Sequence, residues 1–411
     1  MTNVVGIIGE YNPFHNGHKY HLEESKRILN ADYSVAVISG NFVQRGNVSI
    51  VDKWTKAEMA LSNGIDLVIE LPTIYSISSA ENFAYGAIKT LDSLNIVDYV
   101  SFGSEFGNLD VLDKFADIFY GQPSEYVSIL NHELSKGISF PKARENAVLM
   151  YLNNIRKYSN VLSSPNNILG IEYLKALKKS KSHIHPLTIK REHVGYNEIG
   201  ISNNFASATS IRNMIINNKL SKLPYVMPKE TYKILYNSFQ KGHYVKDISR
   251  FEKEIIYTLR KMSLAEIANL PDVVEGLEHS IKNAANSCNT LNEFINIIKT
   301  KRYTTTRIQR ILIYALLGIT KKDMKESTKN IPYIRVLGFN KKGKELLSII
   351  SNSNKNIDVI TSVKKYLDYG NPSKYSKNML NIDINATNIY TIGYQKDSWS
   401  NLDYTHNMVI L

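Results

Sequence analysis

Residues 4–18 read VVGIIGEYNPFHNGH. The apolar run Val4–Gly9 predicts a short, buried β-strand, and the polar residues after it predict a turn. The pattern of Gly17–Leu29 then indicates a helix. A strand, a turn and a helix in this order open a βαβ unit, and the end of the first strand is where open α/β sheets bind ligands.

The same alternation continues along the chain. It predicts further strands at Tyr33–Ser39, Asp66–Leu71, Val97–Phe102 and His185–Lys190, and helices at Asp52–Ser62, Ser79–Leu94, Asn108–Tyr120, Arg144–Leu152 and Asn166–Lys178. We therefore expect an α/β fold with a Rossmann-like parallel sheet over residues 1–220. Residues 221–411 are expected to be a mainly helical region, with helices at Lys229–Phe239, Arg250–Met262, Val274–Asn286, Leu291–Thr300, Thr306–Leu317 and Lys341–Ile350 and a strand at Ile334–Leu337.

Composition and charge exclude several classes of protein. Of the 411 residues, 43% are apolar and 21% are charged, which argues against a mainly disordered chain. No apolar run is long enough to cross a bilayer, and the N-terminus lacks the features of a secretory signal, so we expect no membrane association. The single cysteine, Cys288, is expected to be a buried small hydrophobe in a reducing cytoplasm.

The net charge of +12 is unevenly distributed. Residues 1–150 contain 11 Lys and Arg against 18 Asp and Glu, whereas residues 151–411 contain 39 against 20. An acidic first part and a strongly basic remainder indicate two tasks, and the basic part favours a polyanionic partner such as nucleic acid. An AT-rich genome that enriches Lys is the alternative explanation.

The chemistry is concentrated in the turn after the first strand. His15 and His18 lie three residues apart where the helix begins, and backbone N–H groups and the helix dipole there favour phosphate. Imidazoles at this point can donate to phosphate oxygens and stabilise charge at the α-phosphorus. Gly17 would let a nucleotide approach the backbone. Two histidines at this spacing alone would also fit a metal site or a simple turn.

A second phosphate-binding element is predicted at residues 205–212, which read FASATSIR. Ser207, Thr209 and Ser210 are typical of a helix N-terminus, where hydroxyl and N–H groups bind phosphate. Arg212, just inside that helix, can hold two phosphate oxygens. An ordinary capped helix with a solvated arginine is the structural alternative.

The string from Gly9 to His18 resembles the H-x-G-H signature of the nucleotidyltransferase superfamily, and residues 205–212 resemble its I-S-S-T-x-I-R motif. The sequence departs from the usual G-S-F-D-P signature at Glu10, Tyr11 and Asn12. Three further strings lie where strands end or helices begin, namely SGNFVQRG (residues 39–46), FGSE (102–105) and SPNNILGIEY (164–173), with IKR (189–191) at the end of a strand. Together these motifs resemble the tRNA(Met) cytidine acetate ligase family across most of the chain.

The resemblance implies an activity and a set of site residues. Such enzymes use ATP and acetate to form acetyl-adenylate and transfer the acetyl group to N4 of the wobble cytidine of elongator tRNA(Met), releasing AMP and pyrophosphate. The catalytic candidates are His15, His18 and Arg212. The residues expected to bind ATP are Ile7, Ile8, Gly9, Glu10, Tyr11, Asn12, Pro13, Phe14, His15, Asn16, Gly17, His18, Lys19, Tyr20, Gly103, Asn166, Arg191, Ser207 and Thr209. A Mg²⁺ ion bridging the phosphates is expected, without identifiable protein ligands.

The tRNA is expected to contact the basic part of the chain. Residues 299–310 carry five positive charges in twelve residues, with an aromatic ring and several hydroxyls. These suit a phosphate backbone and one stacked base. The tRNA-binding candidates are Lys299, Lys301, Arg302, Arg307 and Arg310. Lys19 and His21 are expected to be solvated or to contact RNA, with a place in the phosphate cluster as the alternative.

Two other functions remain open at this point. A small-molecule adenylyltransferase acting on a phosphorylated acceptor would need only residues 1–220 and would leave the basic region without a purpose. A non-catalytic tRNA-binding protein could retain a nucleotide site, although the intact residues 15–18 and Arg212 argue against it. The sequence indicates neither the residues that bind acetate nor the oligomeric state.

Overall fold

The computed structural model describes residues 2–153, 158, 161–191, 205–274, 276–300, 303–353 and 357–411. Its strands are β1 (Val4–Gly9), β2 (Tyr33–Ser39), β3 (Phe42–Val43), β4 (Asn47–Val48), β5 (Leu67–Leu71), β6 (Tyr99–Ser104), β7 (His185–Lys190), β8 (Ile334–Phe339), β9 (Val359–Ile360) and β10 (Val409–Ile410). The predicted bounds of β1, β2 and β7 are confirmed. Strand β6 begins two residues later than predicted and extends two residues further.

The helices of the first half are α1 (Asn16–Leu29), α2 (Lys53–Leu61), α3 (Thr73–Ser76), α4 (Ala80–Asp92), α5 (Leu109–Gly121), α6 (Ser124–Ser135), α7 (Phe140–Tyr151), α8 (Pro165–Ser180) and α9 (Ala208–Ile216). Helix α6 is absent from the predicted helices, and its N-terminus has Pro123 as its cap and no side-chain capping hydrogen bond. In α2 the predicted first residue, Asp52, is the N-cap, because its carboxylate accepts from the backbone N–H of Thr55.

The second half is mainly helical, as predicted. Its helices are α10 (Leu223–Val226), α11 (Lys229–Lys241), α12 (Glu252–Lys261), α13 (Leu264–Ala268), α14 (Leu277–Ser287), α15 (Leu291–Ile298), α16 (Thr305–Leu317), α17 (Lys321–Ser327), α18 (Lys341–Ser353), α19 (Val363–Tyr369), α20 (Lys374–Ile392) and α21 (Leu402–Thr405). Cys288 is 1% exposed at the end of α14, which confirms its prediction as a buried hydrophobe. No helix of the described ranges is long and apolar enough to span a membrane.

Five parallel strands form the centre of the sheet, in the order β5-β2-β1-β6-β7. Strand β1 pairs with β2 on one side and with β6 on the other, so the chain moves outward from β1 in both directions. The carboxyl end of β1 is therefore a topological switch point, where the connections diverge and leave a crevice. The turn that carries His15 and His18 begins there.

Alternate residues of the central strands bury two separate faces. Val5 and Ile7 of β1 pack in one hydrophobic cluster with Trp54 of α2 and Leu235 of α11. Val4 belongs to a second cluster, which includes helices α4, α5 and α8 and many of the later helices. Because successive side chains of a strand point to opposite faces, this division places helices on both sides of a fully buried sheet.

The C-terminal half also contributes to this sheet. Strand β8 pairs antiparallel with β5, and β9 and β10 pair parallel with β8. The expected parallel sheet thus carries an antiparallel extension supplied by the mainly helical region. The division at residue 220 stays a prediction.

A buried ionic cluster fixes this extension. The ammonium of Lys53 in α2 lies 3.0 Å from Glu70 of β5 and 2.7 Å from Asp403 of α21. Arg335 of β8 lies 3.1 Å from Glu70 and also contacts Asp403. Two cations and two anions therefore balance one another in the interior, as buried charges require.

Candidate active site

His15 and His18 together cap the N-terminus of α1. Nδ1 of His15 accepts from the backbone N–H of Gly17 at 3.1 Å, and Nδ1 of His18 accepts from the backbone N–H of His15 at 3.3 Å. This is a reciprocal capping box in which imidazoles take the places usually held by Ser and Glu. The two rings stack with their centroids 3.7 Å apart. The H-x-G-H motif thus performs a structural task at the position where it is expected to bind phosphate.

The hydrogen bonds at Nδ1 also determine where the protons of the two rings lie. Burial, with Arg191 and Arg212 nearby, lowers the pKa of His15 to about 3. Burial and the neighbouring His15 lower the pKa of His18 as well. Both rings are therefore neutral at neutral pH, and an Nδ1 that accepts a hydrogen bond assigns the proton to Nε2. Each histidine consequently keeps one Nε2–H donor.

The loop between β1 and α1 is held by its own polar side chains. Asn12 is 2% exposed, donates to the carbonyl of Val48 at 3.2 Å and accepts from the N–H of Ile50 at 2.8 Å. The carboxylate of Glu10 accepts from the N–H of Gln44 at 3.1 Å. The loop is therefore fastened to the β3–β4 hairpin and the segment after it. Glu10 and Asn12, where the sequence departs from the superfamily signature, both make these contacts.

Two glycines of the predicted ATP site make room for neighbouring rings. A Cβ on Gly17 would lie 2.9 Å from the imidazole of His15, and a Cβ on Gly9 would lie 3.0 Å from the ring of Tyr11. Tyr11 itself is 2% exposed and has a φ of 46°. Within the protein, Gly17 therefore accommodates the capping histidine, a role the sequence did not indicate. Its predicted role toward a nucleotide stays a prediction.

Helix α9 brings Arg212 to the same loop. Its guanidinium donates to the carbonyl of Asn12 at 3.1 Å and to the hydroxyl of Thr209 at 3.0 Å. Ser207 is the N-cap of α9 and accepts from the N–H of Ser210 at 3.1 Å. The two predicted phosphate-binding elements, about 200 residues apart in the sequence, are thus joined directly.

Arg191 follows β7 at the neighbouring end of the sheet. Burial, and to a smaller extent the positive charge of Arg191, lowers the pKa of His15, His18 and His21. A Cβ on Gly103 would lie 3.2 Å from the Arg191 side chain, so the glycine leaves space for the arginine. A predicted residue of β6 and one that directly follows β7 therefore meet at this end of the sheet.

Asn166 is held at the start of α8 by a carboxylate that the sequence reading did not assign to the site. Glu105 accepts from the side chain of Asn166 at 2.6 Å and from the backbone N–H of Asn167 at 3.0 Å. A carboxylate at a helix N-terminus is favoured by the free N–H groups and the dipole. Glu105 thus orients Asn166 toward the carboxyl edge of the sheet.

Lys19, Tyr20 and His21, which follow the second histidine, have different environments. Lys19 is exposed, and its ammonium lies 3.9 Å from Glu23. Tyr20 makes an edge contact with Phe205, with centroids 6.2 Å apart. His21 is partly buried rather than solvated, because its ring packs against β6, with Nε2 3.0 Å from the hydroxyl of Ser101, and its contact with RNA stays a prediction. Burial accordingly lowers the pKa of His21 to about 4.

Lys56 is a structural residue of the site that sequence reasoning missed. It is fully buried in α2, and its amine donates to the carbonyls of Glu10 at 3.1 Å and of Ser39 and Gly40 at 2.7 Å each. Burial lowers the pKa of Lys56 to about 7. These carbonyls lie at the carboxyl ends of β1 and β2, so one amine ties together the two loops that leave the sheet there. A lysine in an amphipathic helix carries no sequence signal for such a role.

The predicted tRNA-binding residues lie around the start of α16. Lys299 is exposed, whereas Lys301 and Arg302 lie outside the described residues. Arg307 donates to the carbonyl of Asp272 at 3.1 and 2.6 Å, and Arg310 forms an ion pair with its carboxylate at 2.8 Å. Both arginines thus hold the loop before α14, and their contact with tRNA stays a prediction.

Residues 2–404 match the family model described as HIGH Nucleotidyl Transferase, and the chain belongs to this family. It is 47% identical over 408 residues to the tRNA(Met) cytidine acetate ligase of Thermoanaerobacter sp. (strain X514), covering 99% of this chain and 100% of the relative. The tRNA(Met) cytidine acetate ligase of Acetivibrio thermocellus is 43% identical over 416 residues. That match covers 99% of this chain and 100% of the relative. Within the wider family, the chain therefore belongs to the tRNA(Met) cytidine acetate ligases, which confirms the resemblance inferred from its motifs.

Solved structures agree with this placement. The crystal structure of Thermotoga maritima TmcAL bound with alpha-thio ATP (Form II) has a TM-score of 0.93 and 32% identity, and covers 100% of both chains. The apo form I of the same protein has a TM-score of 0.95, again with 32% identity and full coverage of both chains. The fold class predicted from the sequence is thereby confirmed over the whole length.

Proposed function

We propose that this protein is an ATP-dependent ligase that acetylates N4 of the wobble cytidine in elongator tRNA(Met). The observation that carries the proposal is the pair of neutral, stacked imidazoles of His15 and His18 at the switch point of the sheet. Each has an Nε2–H donor, and Arg191 and Arg212 lie beside them. Membership of a ligase family with this substrate in its relatives' names supports the choice of acetate and tRNA.

The first step that we propose joins acetate to AMP. A carboxylate oxygen of acetate attacks the α-phosphorus of ATP, the bond to the β-phosphate oxygen breaks, and pyrophosphate leaves with the electron pair. Preorganised donors stabilise charge that develops on the phosphoryl oxygens, and they act strongly where water is excluded. His15 and His18 are suited to the α-phosphate, since neutral rings donate hydrogen bonds without losing a proton. Arg191 and Arg212 are suited to the charge of the departing pyrophosphate.

The second step transfers the acetyl group to RNA. The N4 amine of the cytidine attacks the acetyl carbon, the bond from that carbon to the AMP oxygen breaks, and AMP leaves as the amine loses a proton. Acetate alone is a poor electrophile, so adenylation supplies the leaving group. Holding the mixed anhydride and the amine in line is the main contribution expected of the protein.

We infer that ATP is used with Mg²⁺. Within the described ranges, no group of three or more His, Cys, Asp or Glu residues could hold a metal ion. Glu10 lies in the loop after β1 and Glu105 contacts the start of α8, and the carboxylates of both accept hydrogen bonds from N–H groups. These residues do not form a metal cage. The ion would therefore arrive on the phosphates, as Mg²⁺ commonly does.

The basic part of the chain is the proposed binding region for tRNA. Residues 151–411 carry the excess of positive charge that a tRNA backbone requires, with Lys299, Lys301, Arg302, Arg307 and Arg310 as candidates. We place the activity in the cytoplasm, a reducing compartment that suits a chain with a single cysteine.

One assay separates this function from its alternatives. The protein is incubated with labelled acetate, ATP and bulk tRNA, and the RNA is digested to nucleosides. Labelled N4-acetylcytidine together with AMP supports the ligase. Adenylylation of a phosphorylated metabolite with no labelled RNA would support a small-molecule adenylyltransferase, and RNA binding with no turnover would support a non-catalytic binder.

A further inference from the structure

Helix α2 has two opposite faces that serve different purposes. Lys53 and Lys56 point into the protein, toward the ionic cluster and the loop carbonyls. On the other face, Trp54, Thr55 and Glu58 line a cavity of about 430 Å³ that is completed by α11 and by residues between 394 and 406. This volume lies in the range of sites for small ligands. Its lining shares no residue with the candidate active site.

The cavity is rich in aromatic faces. Trp54 stacks on His406 with centroids 4.3 Å apart, and His243 stacks on Tyr394 with centroids 5.1 Å apart. Trp399 also lines the cavity and is 54% exposed, although a side chain of this size is usually covered. Stacking on aromatic side chains is the main way in which proteins bind the unpaired bases of RNA.

The polar groups of the cavity favour a ligand with hydrogen-bond donors. Asp52 is already engaged, because its carboxylate accepts from the N–H of Thr55 at 2.8 Å and from the hydroxyl of Tyr394 at 3.0 Å. Among the described residues, none forms a hydrogen bond or an ion pair with the carboxylate of Glu58. Burial and the charge of Asp52 raise the pKa of Glu58. Lys241 is exposed on the lining and could meet a phosphate.

We propose that this cavity binds a base with an amino group, presented by a single-stranded part of the substrate RNA. The base would stack on Trp399 and donate to Glu58, and its phosphate would approach Lys241. Guanine gives the most complete pairing, since N1–H and the 2-amino group lie on one edge and can both reach one carboxylate. This base is distinct from the acetylated cytidine, because the cavity shares no lining residue with the candidate active site. The inference rests on the proposed function for the identity of the RNA.

The chain itself supplies the probe for this proposal. Trp54 and Trp399 are the two tryptophans of the sequence, and both line the cavity. We expect GMP to change the tryptophan emission of the full-length protein saturably. IMP, which lacks only the 2-amino group, should bind about tenfold more weakly, since a hydrogen bond to a charged group is lost. Elongator tRNA(Met) should change the emission at a much lower concentration.

Variants identify the residues responsible. Glu58→Gln should remove the preference for GMP over IMP and raise the KM for tRNA about tenfold. Glu230→Gln, a matched change at an exposed carboxylate of α11, should preserve both. Trp399→Phe, at a half-exposed position where folding is little affected, should weaken the binding of GMP and IMP equally by removing stacking area.

Three results would overturn the proposal. The first is equal binding of GMP and IMP by the wild-type protein, and the second is an unchanged KM for tRNA in Glu58→Gln. The third is a saturable change of tryptophan emission with tetramethylammonium and none with GMP, which would indicate a cation site. Failure of the proposed function would look different. A wild-type protein that discriminates GMP from IMP but forms no acetylcytidine would keep the base site and lose the ligase assignment.

Discussion

His15 and His18 stack 3.7 Å apart, and the Nδ1 atom of His18 accepts the backbone N–H of His15. Each ring thus stabilises the first turn of α1 through one nitrogen and keeps the other nitrogen as a donor. This relationship separates the structural and the chemical tasks of the motif. It allows the two tasks to be tested independently.

Substitution of His15 should distinguish capping from catalysis. Asn is a favoured N-cap residue, so His15→Asn should retain most of the stability, whereas His15→Ala should lose about 1 kcal/mol. Both variants lack the Nε2–H donor and should form acetyl-adenylate at least about a hundredfold more slowly. His18→Ala should abolish this step while largely preserving the fold. Urea denaturation measures the stability, and release of pyrophosphate measures the rate of acetyl-adenylate formation. Wild-type turnover in His18→Ala or in His15→Asn would remove the substituted histidine from the mechanism.

The buried histidines should also make stability depend on pH. Because the pKa of His15 falls from 6.5 to about 3 on folding, the unfolded chain binds a proton between these values and the folded protein does not. The free energy of unfolding should therefore fall with decreasing pH in this window, by up to about 1.4 kcal/mol per pH unit for this residue. His15→Asn should show a shallower dependence by that amount. Identical slopes in urea denaturation across the window would mean that His15 is not neutral when folded.

Lys56→Met should loosen the two loops at the carboxyl ends of β1 and β2. The change leaves two buried carbonyl groups and one partly buried carbonyl group without this donor, at a cost of about 3 kcal/mol in the free energy of unfolding. Lys233→Met, an exposed lysine of α11, should change stability by less than about 0.5 kcal/mol. Because the loop of Glu10 also carries the histidines, we expect a higher KM for ATP in Lys56→Met. Equal stability of the two variants would contradict this assignment.

The basic segment at residues 299–310 should contribute to tRNA affinity through phosphate contacts. Lys299→Ala and Arg302→Ala should each weaken binding and reduce the slope of log affinity against log salt by about 1. Arg307→Ala and Arg310→Ala release Asp272 as well, so they should also lower the melting temperature. Binding measured across a salt series, with a melting curve for each variant, separates the two effects. A salt slope unchanged in Lys299→Ala and Arg302→Ala would place the RNA elsewhere.

The regular part of this fold was readable from the sequence because local patterns carry it. The apolar runs of β1 and β2 predicted those strands residue by residue, and the H-x-G-H string identified the loop that follows β1. Long-range contacts were not readable. Nothing in the local pattern around Arg335 indicates that β8 joins β5 antiparallel, or that Asp403 reaches Lys53 across 350 residues.

The sequence predicts where the candidate active site lies, but it does not predict several of the side-chain contacts within that site. The local sequence around His21 does not indicate the hydrogen bond between its ring and the hydroxyl of Ser101 on the neighbouring strand β6. The space that Gly17 leaves for the ring of His15 is a second role that the sequence does not indicate, beside the predicted one toward a nucleotide. Lys56 and Glu105 act on backbone groups of distant segments, and such contacts depend on the folded arrangement of the loops rather than on any motif.

The path of one oxygen atom distinguishes an acetyl-adenylate intermediate from direct acetylation of the tRNA. If acetate attacks the α-phosphorus and the amine of cytidine later attacks the acetyl carbon, one carboxylate oxygen must remain on AMP. Reaction of the wild-type protein with ¹⁸O-labelled acetate, ATP and elongator tRNA(Met) should therefore yield AMP that contains one heavy oxygen for each acetylcytidine formed, measured by mass spectrometry. AMP without the label, alongside acetylated tRNA, would contradict an acetyl-adenylate intermediate.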